Sequence, residues 1–292
     1  MPPAQQQPID STPVAPRTLA PDAAVDLQLH TTFSDGRWTA VQLLDHVAGE
    51  HFALIAITDH DRPDTIGEVQ RLAAERGVRV VPAVEMSSRW QGDLCDILCF
   101  GIRSGPSDLA AIAADTRHRQ AENVRAVYAA LRRNGYDFPH AAELLPESAG
   151  EPRQLDDLMA LMRAHGYADG MGRALEAAGF VWMTADLGAI VVAAHAMDAI
   201  ALIAHPGRGD GFACFDADQL DLLCASIPID GLEARHPSHT PEQVEAFVAY
   251  ARAHGLLVSS GSDSHGPPGA MPIKYPAGTC RDLLLRLGIA LA

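Results

Sequence analysis

The chain has 292 residues, 48% of them hydrophobic, and a formal net charge of −15. That length suits one barrel of roughly 200–250 residues plus an extension, and the apolar content is enough for most of it to fold. The acidic excess excludes a protein that coats duplex nucleic acid, which needs broad Lys/Arg surfaces; a small anionic substrate stays open, because bound cations supply positive charge locally.

Residues 1–22 are rich in Pro, Gln and Ala, with neither the basic start nor the apolar run of a signal peptide, and read as a disordered tail. Beyond them comes a series of short apolar runs that end in His, Asp or Glu. Run 24–29 ends at His30, 53–58 at Asp59-His60-Asp61, and 78–84 at Glu85; run 94–100 carries Asp96 inside it. Later, 200–204 ends at His205-Pro206-Gly207-Arg208, 229–232 at Glu233, and 256–259 leads to Ser262-Asp263-Ser264-His265. Helix signals lie between several runs. Thr39 with Gln42, Thr65 with Glu68, and Thr240-Pro241 with Gln243 have capping-box spacing, and Gly77 and Gly255 mark helix ends. Strands alternating with helices predict a parallel sheet, in which chemistry gathers at the strands' C-terminal ends.

Residues 106–184 break this rhythm with helical patterns and no convincing strand. The expected organisation is a barrel in two parts, 23–105 and 185–292, separated by a mainly helical insertion at 106–184. The longest apolar stretch, 187–204, contains His195 and Asp198, so it predicts a helix and a strand rather than a membrane span. Five cysteines without C-x-x-C spacing read as free thiols of a reducing cytoplasm.

His30, Asp35, His60, Glu85, His205, Asp263 and His265 supply the imidazoles and carboxylates that divalent ions need to activate water. A lone strand-end His is more often structural, but recurrence at nearly every run is not explained by loop polarity. The motifs Asp26-Leu27-Gln28-Leu29-His30, Ser34-Asp35-Gly36, Thr58-Asp59-His60-Asp61, Val84-Glu85, Ala204-His205-Pro206-Gly207-Arg208 and Ser262-Asp263-Ser264-His265 resemble, in order, those of the PHP (polymerase and histidinol phosphatase) family. The wording is nearest the branch of nucleoside 3′,5′-bisphosphate phosphatases and short-oligonucleotide exonucleases. The resemblance implies an α/β fold, a distorted (β/α)7 TIM-like barrel around a trinuclear metal centre. One metal would take position 28, His30, Glu85 and Asp263; a second Glu85, position 96 and His205; a third Asp35, His60 and His265. Arg208 matches a phosphate-gripping residue, Arg153 matches part of an Arg-x-His motif whose His is Leu155 here, and His239 or His236 could meet a phosphate or leaving group.

Two positions depart from the family pattern: Gln28 and Asp96 stand where histidines are usual. Both changes move the donor set from nitrogen toward oxygen, which favours Mn²⁺ or Mg²⁺ over zinc or iron; two or three metals per chain are expected, with the one beside position 28 weak, absent or readily exchanged. The implied activity is hydrolysis of a phosphomonoester on a nucleotide or short oligonucleotide by metal-activated water, with Asp263 accepting its proton and His265, His236 or His239 protonating the leaving group. Three readings compete: a degenerate barrel that binds metal or a phosphorylated ligand without turnover, a histidinol-phosphate-like phosphatase, and an amide hydrolase. The last lacks a carbamylated-lysine candidate, since Lys274 is the only lysine.

Overall fold

The structure, a computed structural model, describes residues 18–292; the expected tail therefore lies outside the described residues up to position 17. Within its last part, Leu19 is buried and forms a bridge with Leu291, so the chain is anchored before the first strand. The first half of the barrel comprises β1 (Ala24–Asp26), α1 (Ala40–Gly49), β2 (Leu54–Ile57), α2 (Ile66–Glu75) and β3 (Val80–Met86). A small hairpin, β4 (Ser88–Trp90) and β5 (Asp93–Leu94), leads into β6 (Ile97–Phe100). Four helices follow: α3 (Asp108–Arg133), α4 (Ala141–Leu144), α5 (Leu155–Ala164) and α6 (Met171–Ala177). The chain then resumes with β7 (Ala185–Asp186), α7 (Leu187–His195), β8 (Ile200–Ile203), α8 (Ala217–Ser226) and β9 (Gly231–Arg235). It finishes with α9 (Pro241–His254), β10 (Leu257–Ser260), β11 (Tyr275–Pro276) and α10 (Arg281–Arg286).

The main sheet has the order β10-β9-β8-β6-β3-β2-β1-β11. Its open side is drawn together by Leu27 N–H donating to the Ser260 carbonyl at 3.0 Å and by a bridge between Leu29 and Ser264. Seven main strands thus form a distorted, nearly closed barrel, with two-residue β11 against β1. The sheet is not all parallel. β6 runs antiparallel to both β3 and β8, because the β4–β5 hairpin, and not a helical crossover, connects β3 to β6. The reversal has a functional result: Asp96 precedes β6 and so lies at the barrel end where Glu85 closes β3.

Alternation along the strands separates two faces. Leu54 and Ala56 of β2 cluster with Val81, Ala83, Leu98 and Phe100, while Ile55 and Ile57 pack on α1 and α2 with Leu43, Leu44 and Val69. Glu85 and Asp96 extend the first of these faces, two residues beyond Ala83 and Leu98. The helices form where their caps predict, with one exception. Thr39 and Gln42 make a reciprocal capping box, as do Thr240 and Gln243, with Pro241 in the first turn and Gly255 at φ +67° closing the end. Thr65 does not cap α2: a 3₁₀ turn at Pro63–Thr65 precedes the helix, and the Thr65 hydroxyl donates to the Arg62 carbonyl at 2.9 Å.

α3 is 26 residues, about 39 Å long at 1.5 Å per residue. Its first half buries Leu109 and Ala113 in a barrel cluster with Ile97 and Val191. Its second half buries Val124, Val127 and Leu131 in a separate core with Leu158, Leu161 and Met162 of α5 and Leu175 of α6. Each fully buried aliphatic chain of this size contributes roughly 1.5–3 kcal/mol. Residues 179–184 return along α3, held by its side chains: Asn123 bonds the Val181 N–H and Gly179 carbonyl (both 3.1 Å), Gln120 accepts from Met183 N–H (2.8 Å), and Arg119 donates to the Thr184 carbonyl (3.0 Å). Among the described residues, no helix is long and apolar enough to cross a membrane.

Candidate metal centre

Turns at one end of the barrel bring the polar ends of the strands together. The 31–36 turn is tied to Asp59, which accepts from Thr31 N–H, the Thr31 hydroxyl and the Ser34 hydroxyl, each at 2.7 Å. Gly36 is required there, since a Cβ would lie 2.5 Å from the Thr31 nitrogen. This tight turn places Asp35 over His30, with His30 Nδ1 3.6 Å from Asp35 Oδ1. Asp61, His205 and Asp263 adopt φ of +53°, +31° and +52°, a left-handed region costly for residues with a Cβ and typical of site turns.

His30 and Glu85 are the hub. His30 Nε2 stands 3.1 Å from both Glu85 Oε2 and Asp263 Oδ1, yet neither contact is aligned as a hydrogen bond and both ring nitrogens remain buried without a partner. Two carboxylate oxygens converging on one unaligned nitrogen is how ligands surround a shared cation. The rings of His265 and His60 stack on the His30 ring at 4.3 and 4.8 Å. His265 Nδ1 lies 2.8 Å from the Asp263 carbonyl; donating there, it leaves Nε2 to face Asp35 Oδ2 at 3.1 Å, the tautomer a metal ligand needs. Three groups of donors could each hold an ion: His30, Asp35, His60 and His265; His30, Glu85 and Asp263; His60, Glu85 and Asp96. His205 Nε2 reaches Glu85 Oε1 at 3.1 Å, but His60 is the imidazole grouped with Glu85 and Asp96.

Gln28 is fully buried, and its Nε2 donates to Glu85 Oε2 at 3.0 Å, leaving Oε1 without a partner. An amide N–H therefore stands against the central carboxylate at the position usually given to an imidazole. Asp96 is aimed inward, and burial raises its carboxyl to about 7, with the Glu85 charge adding to the effect. Burial disfavours the charged form of His60, but the Glu85 and Asp35 carboxylates outweigh it and raise the imidazole to about 9. His30 is likewise pulled down by burial and carried well above its ordinary value by Asp263 and Glu85. Burial acts to raise the Glu85, Asp35 and Asp263 carboxyls, yet the surrounding histidines hold all three below the ordinary range. Histidines that would be protonated and carboxylates that would be ionised are what remains when a cation is subtracted from such a cluster. The donor set fits divalent ions.

Arg208 lies over the Phe212 ring at 4.2 Å, with Nη1 3.5 Å from Asp263 Oδ2 and Nε 3.1 Å from Asp210 Oδ1. His236 Nε2 is also 3.5 Å from Asp263 Oδ2; it is buried and unpartnered, while its Nδ1 accepts from Ser238 N–H at 3.1 Å. His239 differs, because both of its ring nitrogens bond to backbone groups. Arg153 is exposed just before α5, its backbone N–H bonded to Asp157 Oδ2 at 2.9 Å. Asp156 of α5 is raised by burial and next by the Asp35 charge. Arg117 of α3 donates to the Asp61 carbonyl, beside His60.

Sequence reading missed the supporting carboxylates. Asp26 accepts from Ser262 and Ile273 N–H groups, both at 2.9 Å, and Glu233 Oε2 accepts from His205 N–H at 3.0 Å. Their signal was present: each is an acidic residue within or at the end of an apolar run, where an unpaired charge is costly.

No protein-family model matches the chain. It is 31% identical over 269 residues to the 3′,5′-nucleoside bisphosphate phosphatase of Chromobacterium violaceum, covering 84% of this chain and 88% of that one. It is 29% identical over 266 residues to the phosphoribosyl 1,2-cyclic phosphate 1,2-diphosphodiesterase of Eggerthella lenta, covering 85% and 96%. A proposed metal-dependent phosphoesterase from Bifidobacterium adolescentis shares the fold at a TM-score of 0.77 and 23% identity, over 92% of this chain and 98% of that one.

Proposed function

The chain belongs to the PHP family and is a metal-dependent phosphoesterase, and from that premise we propose that it hydrolyses a terminal phosphomonoester on a nucleotide or short oligonucleotide. The observation that carries this reading is the convergence of three overlapping donor groups on His30, His60 and Glu85, with the Arg208 guanidinium held beside Asp263. The small phosphorylated substrates named for the two curated relatives support it.

In the proposed arrangement Asp35, His60 and His265 with His30 would hold one ion, and Glu85 and Asp96 with His60 or His205 would hold a second. The oxygen-rich second set suits Mn²⁺ or Mg²⁺. Bound ions would lower the pKa of water and balance charge on the phosphoryl oxygens. Asp263 Oδ2 takes the proton of the attacking water; its carboxyl is held ionised by His236 and His30. Arg208 binds the phosphoryl group through its planar fork, and its stacking on Phe212 fixes the approach. Of the three histidines considered for the leaving group, His236 is the one whose Nε2 is buried beside Asp263 without an aligned partner, so its N–H steadies the departing oxygen, which takes from Asp263 the proton that this carboxylate accepted from water. The insertion, residues 106–184, forms a roof through Arg117 and Asp156. All five cysteines are free, which suits the cytoplasm.

The test is to assay chelator-treated protein, reloaded with Mn²⁺, Mg²⁺ or Zn²⁺, on nucleoside 3′,5′-bisphosphates, short oligonucleotides and non-nucleotide phosphomonoesters. Metal-dependent release of phosphate, fastest from a nucleotide and with Mn²⁺ or Mg²⁺, is expected. A stronger preference for a phosphate ester without a base would reject the nucleotide reading.

A further inference from the structure

The His205–Arg208 turn carries both a candidate ligand and the phosphate-binding arginine, and its middle residue has no side chain with which to anchor itself. Gly207 is nevertheless gripped on both backbone groups. Its N–H donates to His239 Nε2 at 3.0 Å, and its carbonyl accepts from Gln243 Nε2 at 3.2 Å. His239 is itself oriented: Nδ1 lies 3.0 Å from the Ala234 carbonyl on β9, so the proton sits on Nδ1 and Nε2 is free to accept. Gln243 uses the other end of its amide to cap α9, its Oε1 accepting from Thr240 N–H at 2.9 Å. A Cβ on Gly207 would lie 2.8 Å from Gln243 Nε2 and 2.9 Å from the His239 ring, so the clamp closes directly on the main chain.

We propose that His239, with Gln243, is a positioning residue that sets the Gly207 backbone and through it the place of the Arg208 guanidinium over the substrate's phosphoryl group. The two residues fasten the turn to the exit of β9 and the first turn of α9. A guanidinium fork discriminates by geometry, so its gain depends on how closely the turn is held. This role rests on the phosphoesterase reading of the site and assigns His239 no contact with substrate.

Inorganic phosphate separates the two ideas, because its binding to metal-loaded protein is measured without turnover. His239→Ala should raise both the phosphate Kd and the substrate KM up to about tenfold, the scale of one lost hydrogen bond, with kcat and metal content changed far less. His239→Gln, which restores an acceptor near Nε2, should recover most of that loss. In an Arg208→Ala background His239→Ala should add little, since residues acting through one another are not additive. An unchanged Kd and KM in His239→Ala, an undiminished effect without Arg208, or loss of metal and fold in both His239 variants would each overturn the role. Wild-type protein that hydrolyses phosphomonoesters while His239→Ala matches it removes this inference alone; wild-type protein that neither binds phosphate nor turns over removes the reading beneath it as well.

Discussion

The two sides of the centre solve the same electrostatic problem differently. On the outer side, Asp35, His60 and His265 surround the His30 ring with two stacked imidazoles and a carboxylate, and His30 keeps its nitrogens unpaired. On the inner side, Gln28 presents an N–H to Glu85, so the protein supplies part of the positive partner from its own amide. The difference teaches that one buried carboxylate can be balanced by a cation or by a hydrogen-bond donor, and that a single residue decides which. An amide cannot serve both purposes at once: with Nε2 on Glu85, its oxygen points elsewhere.

The largest expected effect falls where the two sides meet. Asp263→Asn removes the proton acceptor between His30 and Arg208, and kcat should fall by at least about 10²-fold. Turnover close to wild type in that variant would break the link between the outer donors and the chemistry. A smaller, discrete change sharpens the contrast. Wild-type protein purified without chelator should hold two metals per chain by elemental analysis, and Gln28→His should gain one; three tightly held ions in the wild type would show that Gln28 does not fill the inner position. The mildest effect concerns pH. The His60 imidazole is raised to about 9, so at neutral pH an incoming ion must displace its proton. Metal affinity should therefore rise about tenfold per pH unit for that proton and level off near the raised value. Titration of metal into weakly buffered protein should release protons at pH 7; no release would mean that the outer imidazoles are already neutral.

Most of the barrel was legible because its residues obey short-range rules. Thr39 and Thr240 cap helices by spacing alone, and His30, Glu85 and His205 announce themselves by ending apolar runs. The antiparallel course of β6 was not legible, because run 94–100 has the same composition in either direction, and only the short β4–β5 hairpin reverses it. The second donor group was legible only in part. His60 enters it beside Glu85 and Asp96, a proximity set by the bridge between His60 and Glu85, which no one-dimensional pattern encodes. The hold of His239 on the backbone was not legible either, because its two partners lie 5 and 32 residues away. Gln28 was legible as a departure, but its bond to Glu85 was not.

α3 belongs to two cores at once, with Leu109 and Ala113 in the barrel and Val124 to Leu131 in the insertion. A continuous helix offers no joint between them. The second core is therefore held out from the barrel wall on a single beam, and the two move as one piece along it.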